Sequence, residues 1–252
     1  EPSMVGRMVL GEINLACHAC ALCKRGLSRH CSARTVLGIL NKDGCFASYV
    51  TLPLENLHRV PQGMSDEAAC FVEPIAACFE VLEQVFAGPD DRIAVLGDGK
   101  LGQLVAGVLH AQGLDVVLVG KHEDKLARAR SRGLRTASMS DLEAHAYDLV
   151  VEATGSPTGM EAALRLLRPR GTLVLKSTYH GKLSLDAAPI VIDEITVVGS
   201  RCGPFAPALA ALSSQAVDPQ YLVDAVYPLQ DAEAAFARAA ERGVLKVLLD
   251  MR

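Results

Sequence analysis

Three glycines with fixed spacing follow a short apolar run and precede an amphipathic segment. The apolar run is Ile93–Leu96, and the sequence that follows it is Gly97-Asp98-Gly99-Lys100-Leu101-Gly102. In such a loop the first glycine permits a tight turn, the second lets a diphosphate approach the backbone, and the third lets helix and strand pack closely. The helix N-terminus offers free N–H groups to the phosphates. We predict a dinucleotide-binding loop with contacts from Gly97, Gly99, Lys100, Leu101 and Gly102. The alternative is a glycine-rich turn in an unrelated α/β domain.

The residues around this loop alternate between strand and helix patterns. Short apolar runs typical of strands buried on both faces occur at 93–96, 116–119, 149–153, 173–175 and 195–198. Segments with helical periodicity separate them, and this alternation predicts a parallel, doubly wound sheet over residues 92–201.

The end of the second predicted strand carries information on the cofactor. An NAD site usually has an acid there that binds the ribose 2′-hydroxyl, whereas this chain has Gly120, Lys121 and His122. Without that carboxylate, a 2′-phosphate would meet no repulsion and Lys121 would pair with it. We predict that NADP(H) is preferred over NAD(H). The alternative is that Lys121 and His122 are solvated loop residues.

Four of the eight cysteines form a cluster with the spacing C-x2-C-x2-C-x7-C, at Cys17, Cys20, Cys23 and Cys31. Four thiolates on one short loop suit tetrahedral Zn²⁺, and a site closed by four thiolates is structural rather than catalytic. An iron–sulfur cluster is the main alternative, but bacterial ferredoxin motifs continue with x3-C-P instead of seven residues and a serine. Disulfides are a second alternative. Clustered thiols without a secretion signal indicate metal in a reducing, cytoplasmic compartment.

Composition narrows the function classes. The chain has 252 residues, a net charge of -4 and an isoelectric point near 6.0. No basic stripe that would bind nucleic acid stands out, and no apolar run reaches the roughly 18–20 residues of a membrane helix. The N-terminal residues do not resemble a signal peptide. We therefore expect neither nucleic acid nor membrane as a partner.

Outside the predicted sheet the patterns are shorter. Strand-like runs occur at 7–10, 36–40 and 46–50. A helix is predicted from about residue 65 to Phe86, with a cap at Ser65-Asp66-Glu67 and a break at Pro74. The last fifty residues predict helices at 208–215 and 231–242 and a strand at 246–249.

In this order, the motifs resemble those of the zinc-dependent branch of the medium-chain dehydrogenase/reductase superfamily. The motifs are the cysteine lobe, Gly44-Cys45-Phe46, Val60-Pro61, Glu73-Pro74, the glycine loop, Glu152-Ala153-Thr154-Gly155, Arg170-Gly171-Thr172 and the 195–200 strand. The resemblance implies an α/β fold in which a Rossmann domain interrupts a partial GroES-like, β-rich catalytic domain. We expect the catalytic domain at 1–78 with the zinc lobe at about 15–33, the Rossmann domain at 79–203, and a return to the catalytic domain at 204–252.

The resemblance also implies a reaction and its residues. Hydride would pass between NAD(P) and the hydroxyl of an alcohol, polyol or sugar, and Glu73 falls where family members place a group at a catalytic zinc. Family members usually form homodimers or homotetramers. Further cofactor contacts are expected at the strand ends, from Thr154, Gly155, Lys176, Ser177, Ser200 and Arg201.

One departure from the family pattern qualifies this reading. The family has a zinc-binding cysteine and a Gly-His-Glu motif before the lobe, and neither is present here. We expect that the sequence starts several dozen residues into the family's length. His18, His30 and His58 lack the spacing to substitute as ligands. Two alternatives stay open: a nucleotide-binding protein without turnover, and a subunit that acts mainly through oligomerisation.

Overall fold

The computed structural model describes residues 4–178 and 185–251. The strands along these residues are β1 (Val9–Gly11), β2 (Asn14–Leu15), β3 (Thr35–Val36), β4 (Leu57–Arg59), β5 (Ile93–Leu96), β6 (Val116–Val119), β7 (Arg135–Ala137), β8 (Tyr147–Glu152), β9 (Leu167–Leu175), β10 (Thr196–Gly199), β11 (Val223–Pro228) and β12 (Lys246–Asp250). The α-helices are α1 (Ala21–Lys24), α2 (Asp66–Ala69), α3 (Val72–Gln84), α4 (Lys100–Ala111), α5 (Glu123–Arg130), α6 (Gly159–Leu166), α7 (Ala188–Ile192), α8 (Phe205–Ser213) and α9 (Ala232–Ala240).

The strands β5 to β10 form one parallel sheet in the spatial order β10-β9-β8-β5-β6-β7. This is the doubly wound order, in which the chain first builds outward from β5 on one side and then returns to build on the other. The reversal leaves a crevice between the ends of β5 and β8. The sequence prediction of a doubly wound parallel sheet is confirmed.

Both faces of this sheet are covered, as strand β5 illustrates. Ile93 and Val95 face a core made with α3, α4 and α8, whereas Ala94 and Leu96 face a second core made with α6. Alternate residues of a strand point to opposite faces, so a strand buried on both sides has no polar positions. All four residues are at most 3% exposed. Each fully buried valine, leucine or isoleucine stabilises the fold by about 1.5–3 kcal/mol.

The helix predicted before the sheet begins where the sequence indicated but is divided into two helices, α2 and α3. Ser65 caps the short helix α2, with its Oγ accepting a hydrogen bond from the N–H of Ala68 at 3.1 Å. The break predicted at Pro74 is wrong, because Pro74 is the third residue of the longer helix α3. The N–H groups of a first helical turn have no partner within the helix, so proline is tolerated there.

Several other predicted elements differ from the structure. Residues 46–50 form no strand, and the run 36–40 contributes only its first residue to β3, after which the chain turns. The structure adds β2, β4, β7 and β11, which the sequence analysis did not predict, and β9 begins at Leu167, ahead of the predicted 173. These strands are short or carry charged residues, so their apolar signal is weak.

Within the part of the chain that the structure describes, three small strand pairs lie outside the large sheet: β1 with β4, β2 with β3, and β11 with β12. The β2–β3 pair brings Leu15 opposite Thr35 and thereby closes the loop that carries the four clustered cysteines. None of the helices in the described residues has the length and apolar character needed to cross a membrane.

A buried aspartate joins the tail to the sheet domain. Asp224 on β11 accepts hydrogen bonds from Arg128 Nη2 on α5 at 2.7 Å and from the N–H of Leu245 at 2.6 Å. Its side chain is 6% exposed. Burial acts to raise the pKa of Asp224, but the hydrogen bonds from Leu245, Arg128 and Lys246 together hold the pKa below its ordinary value. The carboxylate is therefore stabilised only in the folded chain.

We predict that Asp224→Asn lowers the free energy of unfolding by about 1–3 kcal/mol at pH 7, since a buried acceptor of charged and backbone donors is weakened. The Arg128 side chain is 40% exposed, which places the value in the lower half of that range. The carboxylate's contribution exists above its ordinary pKa near 3.9 and is lost as pH falls through the lowered folded pKa. Denaturant unfolding of both proteins between pH 3 and 7 measures this.

The matched control is Asp90→Asn on an exposed loop residue, which we expect to change stability by less than about 0.5 kcal/mol. Equal stability of Asp224→Asn and wild type at pH 7 would contradict the prediction.

Candidate functional site

A cavity of about 470 Å³ opens at the carboxyl ends of β5, β6 and β8. It lies in the crevice where the strand order reverses, the position at which open α/β sheets bind ligands. Of the residues that the sequence analysis selected as cofactor contacts, six line this cavity: Gly97, Gly99, Gly120, Lys121, His122 and Thr154. Lys125, Ser156 and Thr158 also line it and were missed, because they lie in no recognised motif.

The glycine loop is shaped by two close backbone approaches. Gly97 has φ +118°, and a Cβ there would lie 2.5 Å from the carbonyl oxygen of Ala153 after β8. A Cβ on Gly102 would lie 1.8 Å from the carbonyl oxygen of Gly97. Only glycine fits either position. Helix α4 therefore begins directly at the loop, with Lys100 and Leu101 in its first turn.

An aspartate of the glycine loop reaches across to the end of β6. Asp98 Oδ2 accepts hydrogen bonds from the N–H groups of Lys121 at 2.7 Å and His122 at 2.8 Å. The expectation that no carboxylate lies at the end of the second strand is therefore wrong. The acid comes from a different loop, and a search of the strand end alone does not find it.

Other predicted contacts lie on the neighbouring strand ends. The N–H of Gly155 donates to Ser177 Oγ at 2.8 Å, which ties the end of β8 to the end of β9. Thr154 donates to the fully buried carboxylate of Glu152 through both its N–H and its hydroxyl. These bonds fix the loop that forms one wall of the cavity.

Lys176, Ser200 and Arg201 form a group of their own, away from the residues that line the cavity. The buried Lys176 Nζ donates to the carbonyl oxygens of Ala77 at 2.7 Å and Arg201 at 2.9 Å and to Ser200 Oγ at 3.2 Å. Burial lowers the pKa of Lys176, opposed by nearby acidic groups. Because all three N–H donors of the ammonium group have acceptors, none is left for a phosphate. Lys176 instead connects the end of β9 to α3 and to the end of β10.

The four clustered cysteines converge on one point. The Sγ atoms of Cys17, Cys20, Cys23 and Cys31 all lie within 4.8 Å of one another. The closest pairs are 3.4 Å for Cys17–Cys31, 3.5 Å for Cys20–Cys23 and 3.8 Å for Cys20–Cys31. A tetrahedron with Zn–S of about 2.3 Å has sulfur atoms about 3.8 Å apart. The group therefore fits a structural zinc.

The negative charge of the ionised thiolates also favours a bound cation. Hydrogen bonds from the backbone at Cys23 and Ser32 lower the pKa of Cys20 to about 5. Burial and then the neighbouring thiols raise the pKa of Cys23 to about 12. Four such sulfurs cannot all ionise beside each other without a positive charge, and Zn²⁺ supplies it.

Glu73 lies in the first turn of α3. Burial raises the pKa of its carboxyl, whereas Lys176, Lys246 and Arg201 act to lower it. Among the described residues, the lobe cysteines form the one group of three or more metal-ligand side chains that converge. Glu73 has no such companions, and His58 and His18 contact Glu12 and Glu55 instead.

Comparisons with known proteins agree with both parts of the chain. Residues 101–214 match the family model of zinc-binding dehydrogenases, and residues 1–62 match that of the alcohol dehydrogenase GroES-like domain. A sorbitol dehydrogenase from Halalkalibacterium halodurans is 29% identical over 97% of the chain and 76% of the relative. An L-threonine 3-dehydrogenase from Streptomyces coelicolor is 30% identical over 97% of the chain and 75% of the relative.

Solved structures share the fold. An alcohol dehydrogenase from Escherichia coli CFT073 in complex with NADH has a TM-score of 0.90 at 21% identity, covering 100% of this chain and 79% of that one. A zinc-binding dehydrogenase from Sinorhizobium meliloti bound to NADP has a TM-score of 0.88 at 24% identity, covering 97% and 76%. At these identities the likeness shows the fold alone.

We predict that the lobe binds about one zinc per chain. Cys31→Ser, which replaces the buried ligand, should abolish that zinc and lower the unfolding temperature, because metal binding contributes folding free energy. Elemental analysis and thermal unfolding, each with and without a chelator, are the measurements.

The matched control is Cys45→Ser, an exposed cysteine outside the lobe, which should retain the metal. Iron and sulfide in place of zinc, or equal zinc content in both variants, would refute the assignment.

Proposed function

This chain belongs to the zinc-dependent medium-chain dehydrogenase family, and on that premise we propose that it transfers a hydride between NAD(P) and the hydroxyl-bearing carbon of an alcohol, polyol or sugar. The observation that carries the proposal is the position of the glycine loop at the reversal of strand order, with its cavity open. The cofactor supplies the hydride chemistry, and the protein binds and orients it. The sorbitol dehydrogenase relative supports a polyol as the substrate.

We propose that the pyrophosphate lies at the N-terminus of α4, over Gly99 and Gly102. A Cβ on Gly99 would meet nothing within 4 Å, so the space above it is open. The first turn of the helix offers unpaired N–H groups and the positive end of the helix dipole. Thr154, Gly155 and Ser177 would then shape the wall along the other half of the cofactor.

For a preference between the cofactors, the cations of the cavity are the relevant groups. Lys121 and Lys125 line it together with His122. They support the prediction that NADP(H) is preferred, because a 2′-phosphate carries about two negative charges. The carboxylate of Asp98, which also lines the cavity, opposes them.

Glu73 is our candidate for a catalytic role, as a carboxylate ligand of the family's catalytic zinc. That metal would act as a Lewis acid on the substrate oxygen. The described residues supply Glu73 alone to such a site, so they do not fit a complete catalytic zinc centre. A second candidate function is that the chain binds the cofactor without turnover.

We propose the domain division 1–78, 79–203 and 204–252. The six-stranded sheet lies entirely within 79–203, whereas the β1–β4 and β11–β12 pairs lie outside it. Hydrogen exchange tests the division, and uniform protection across all three segments would contradict it.

A homodimer is the proposed assembly, and two dimers would make a homotetramer. Strand β10 ends the sheet and presents an edge, and an edge strand is a template for pairing with another chain. Val197 on β10 is 38% exposed, and Val191 and Ile192 on the adjoining α7 are each 77% exposed. A cytoplasmic location is also proposed, because clustered thiols that converge on a metal position suit a reducing compartment. A disulfide in the native protein would contradict that location.

We predict that the protein has at least twice the chain mass at micromolar concentration, and that Val197→Lys shifts it towards one chain by adding charge to the edge. Analytical ultracentrifugation measures both. The control is Val226→Lys, an exposed valine on β11, which should leave the mass unchanged. A wild-type mass of one chain would refute the dimer.

The glycine loop provides the direct test of the proposed function. Gly102→Ala should abolish NADH and NADPH binding, because its Cβ would collide with the carbonyl oxygen of Gly97. Gly107→Ala lies in the same helix with nothing within 4 Å of its Cβ, so it should bind as wild type does. It should also gain up to about 1 kcal/mol of helix stability. Fluorescence titration with each cofactor, checked by circular dichroism, gives the comparison.

Turnover is measured in the same proteins with sorbitol or another polyol and NAD(P)+. Reduction of the cofactor by wild type and by Gly107→Ala supports the dehydrogenase. Binding without reduction supports the second candidate, and absence of binding in wild type contradicts both.

A further inference from the structure

The side chain of Asp98 lies at the end of the cavity next to β6. Asp98 is 7% exposed, although it lies on a loop that lines the cavity. Its Oδ2 accepts the N–H groups of Lys121 and His122, and His122 Nδ1 lies 3.0 Å from both carboxylate oxygens. The neighbouring Gln103, fully buried, donates from Nε2 to the carbonyl oxygen of Asp98 at 3.0 Å. The carboxylate is therefore held in one place.

The position of this carboxylate relates directly to Gly120. A Cβ on Gly120 would lie 2.4 Å from Asp98 Cβ and 2.5 Å from Asp98 Oδ2. No side chain can follow β6 at that point, because Asp98 already fills the space. An acid from the glycine loop thus takes the place where a doubly wound fold usually carries an acid at the strand end.

The two backbone N–H groups that donate to Asp98, those of Lys121 and His122, form an anion-binding site, which the Asp98 carboxylate occupies. Successive backbone N–H groups that converge in this way bind phosphates and carboxylates. Burial acts to raise the pKa of Asp98, but the hydrogen bonds from His122 and Lys121 hold the pKa below its ordinary value, so the group is ionised at neutral pH. Because the carboxylate occupies this anion-binding site, a second anion cannot bind there, and an anion placed nearby is repelled.

We propose that Asp98 is the residue that discriminates between NAD(H) and NADP(H). The proposal rests on the proposed function, since it assigns the adenosine ribose to the β6 end of the cavity. A ribose 2′-hydroxyl can donate to the carboxylate, whereas a 2′-phosphate loses the two backbone donors and meets a like charge. The 2′-phosphate is attracted by the cationic side chains of the cavity, which are Lys121, Lys125 and His122. Asp98 reduces the preference for NADP(H) that this attraction produces.

The test is the ratio of the NADH and NADPH dissociation constants in wild type and in Asp98→Asn. The amide keeps the size of the side chain and one acceptor but removes the charge. We expect the ratio to shift towards NADPH by about tenfold or more. Adenosine 2′,5′-bisphosphate and AMP, which probe only the adenosine end, should shift in the same sense.

A structural role alone would give a different result. If Asp98 merely braced the turn at 120–122, Asp98→Asn would weaken NADH and NADPH by the same factor and leave the ratio unchanged. The matched control is Asp124→Asn, an exposed acid nearby that does not line the cavity. It removes the same charge and should not move the ratio. Asp98→Ser, with a hydroxyl in place of the carboxylate, replaces Asp98→Asn if the latter fails to fold by circular dichroism.

The outcomes separate this proposal from the function on which it rests. If wild type binds both cofactors and the ratio is unchanged in the Asp98 variants, or moves equally in Asp124→Asn, the role of Asp98 is overturned and the dehydrogenase assignment stands. If wild type binds neither cofactor, both are overturned. A shift towards NADPH confined to the Asp98 variants supports the proposal.

Discussion

At the carboxyl end of the large sheet, Gly97 and Ala153 bring the loops after two adjacent strands so close together that no side chain fits between them. Both strands are buried on both faces, so neither can shift to relieve a clash. The chain runs outward in opposite directions from this point, which leaves the crevice open above it. The start of α4, the placement of Asp98 and the wall formed by Thr154 all follow from that one approach of backbones.

The sequence could predict the parts of the site that local chemistry dictates. The glycine loop and the cysteine spacing each lie on a short stretch, and the structure brings each stretch together. Asp98 was missed because Gly120, against which it packs, lies 22 residues further along the chain. No sequence pattern indicates that the side chain of one loop occupies the space left by a glycine in another loop. Lys176 shows the same limit: its position at a strand end indicates a cofactor contact, but Ala77 and Arg201 take up its donors. The helix break was wrongly predicted at Pro74, because proline is compatible with the first turn of a helix.

The cysteine lobe and the sheet domain are connected through two arginines. Arg29, which lies between the third and fourth cysteines, pairs with the buried Glu80 at 3.2 Å. Arg201 donates to the carbonyl oxygen of Arg29 at 2.6 Å, and its own carbonyl oxygen accepts from Lys176. The Glu80 side chain is 7% exposed, so loss of Arg29 would leave a largely buried carboxylate without its cation and would destabilise the fold. The lobe is therefore joined by direct contacts to the end of β10, and order that a bound metal imposed on the lobe would reach that strand end through them.

Helix α3 is the element that these connections share. It packs against α4 and α8 in the core beneath the glycine loop. Its Glu80 holds the lobe, its Ala77 carbonyl holds Lys176, and its first turn carries Glu73. Glu73 and Glu80 are seven residues apart, two turns or about 10 Å along one rigid rod. The distance between the lobe and the candidate catalytic carboxylate is thus set by helix geometry. The same rod fixes both relative to the cofactor cavity, because α3 and α4 pack on one face of the sheet. Helix α3 thereby fixes the position of the Glu73 carboxylate relative to the cavity, although the two come from separate parts of the sequence.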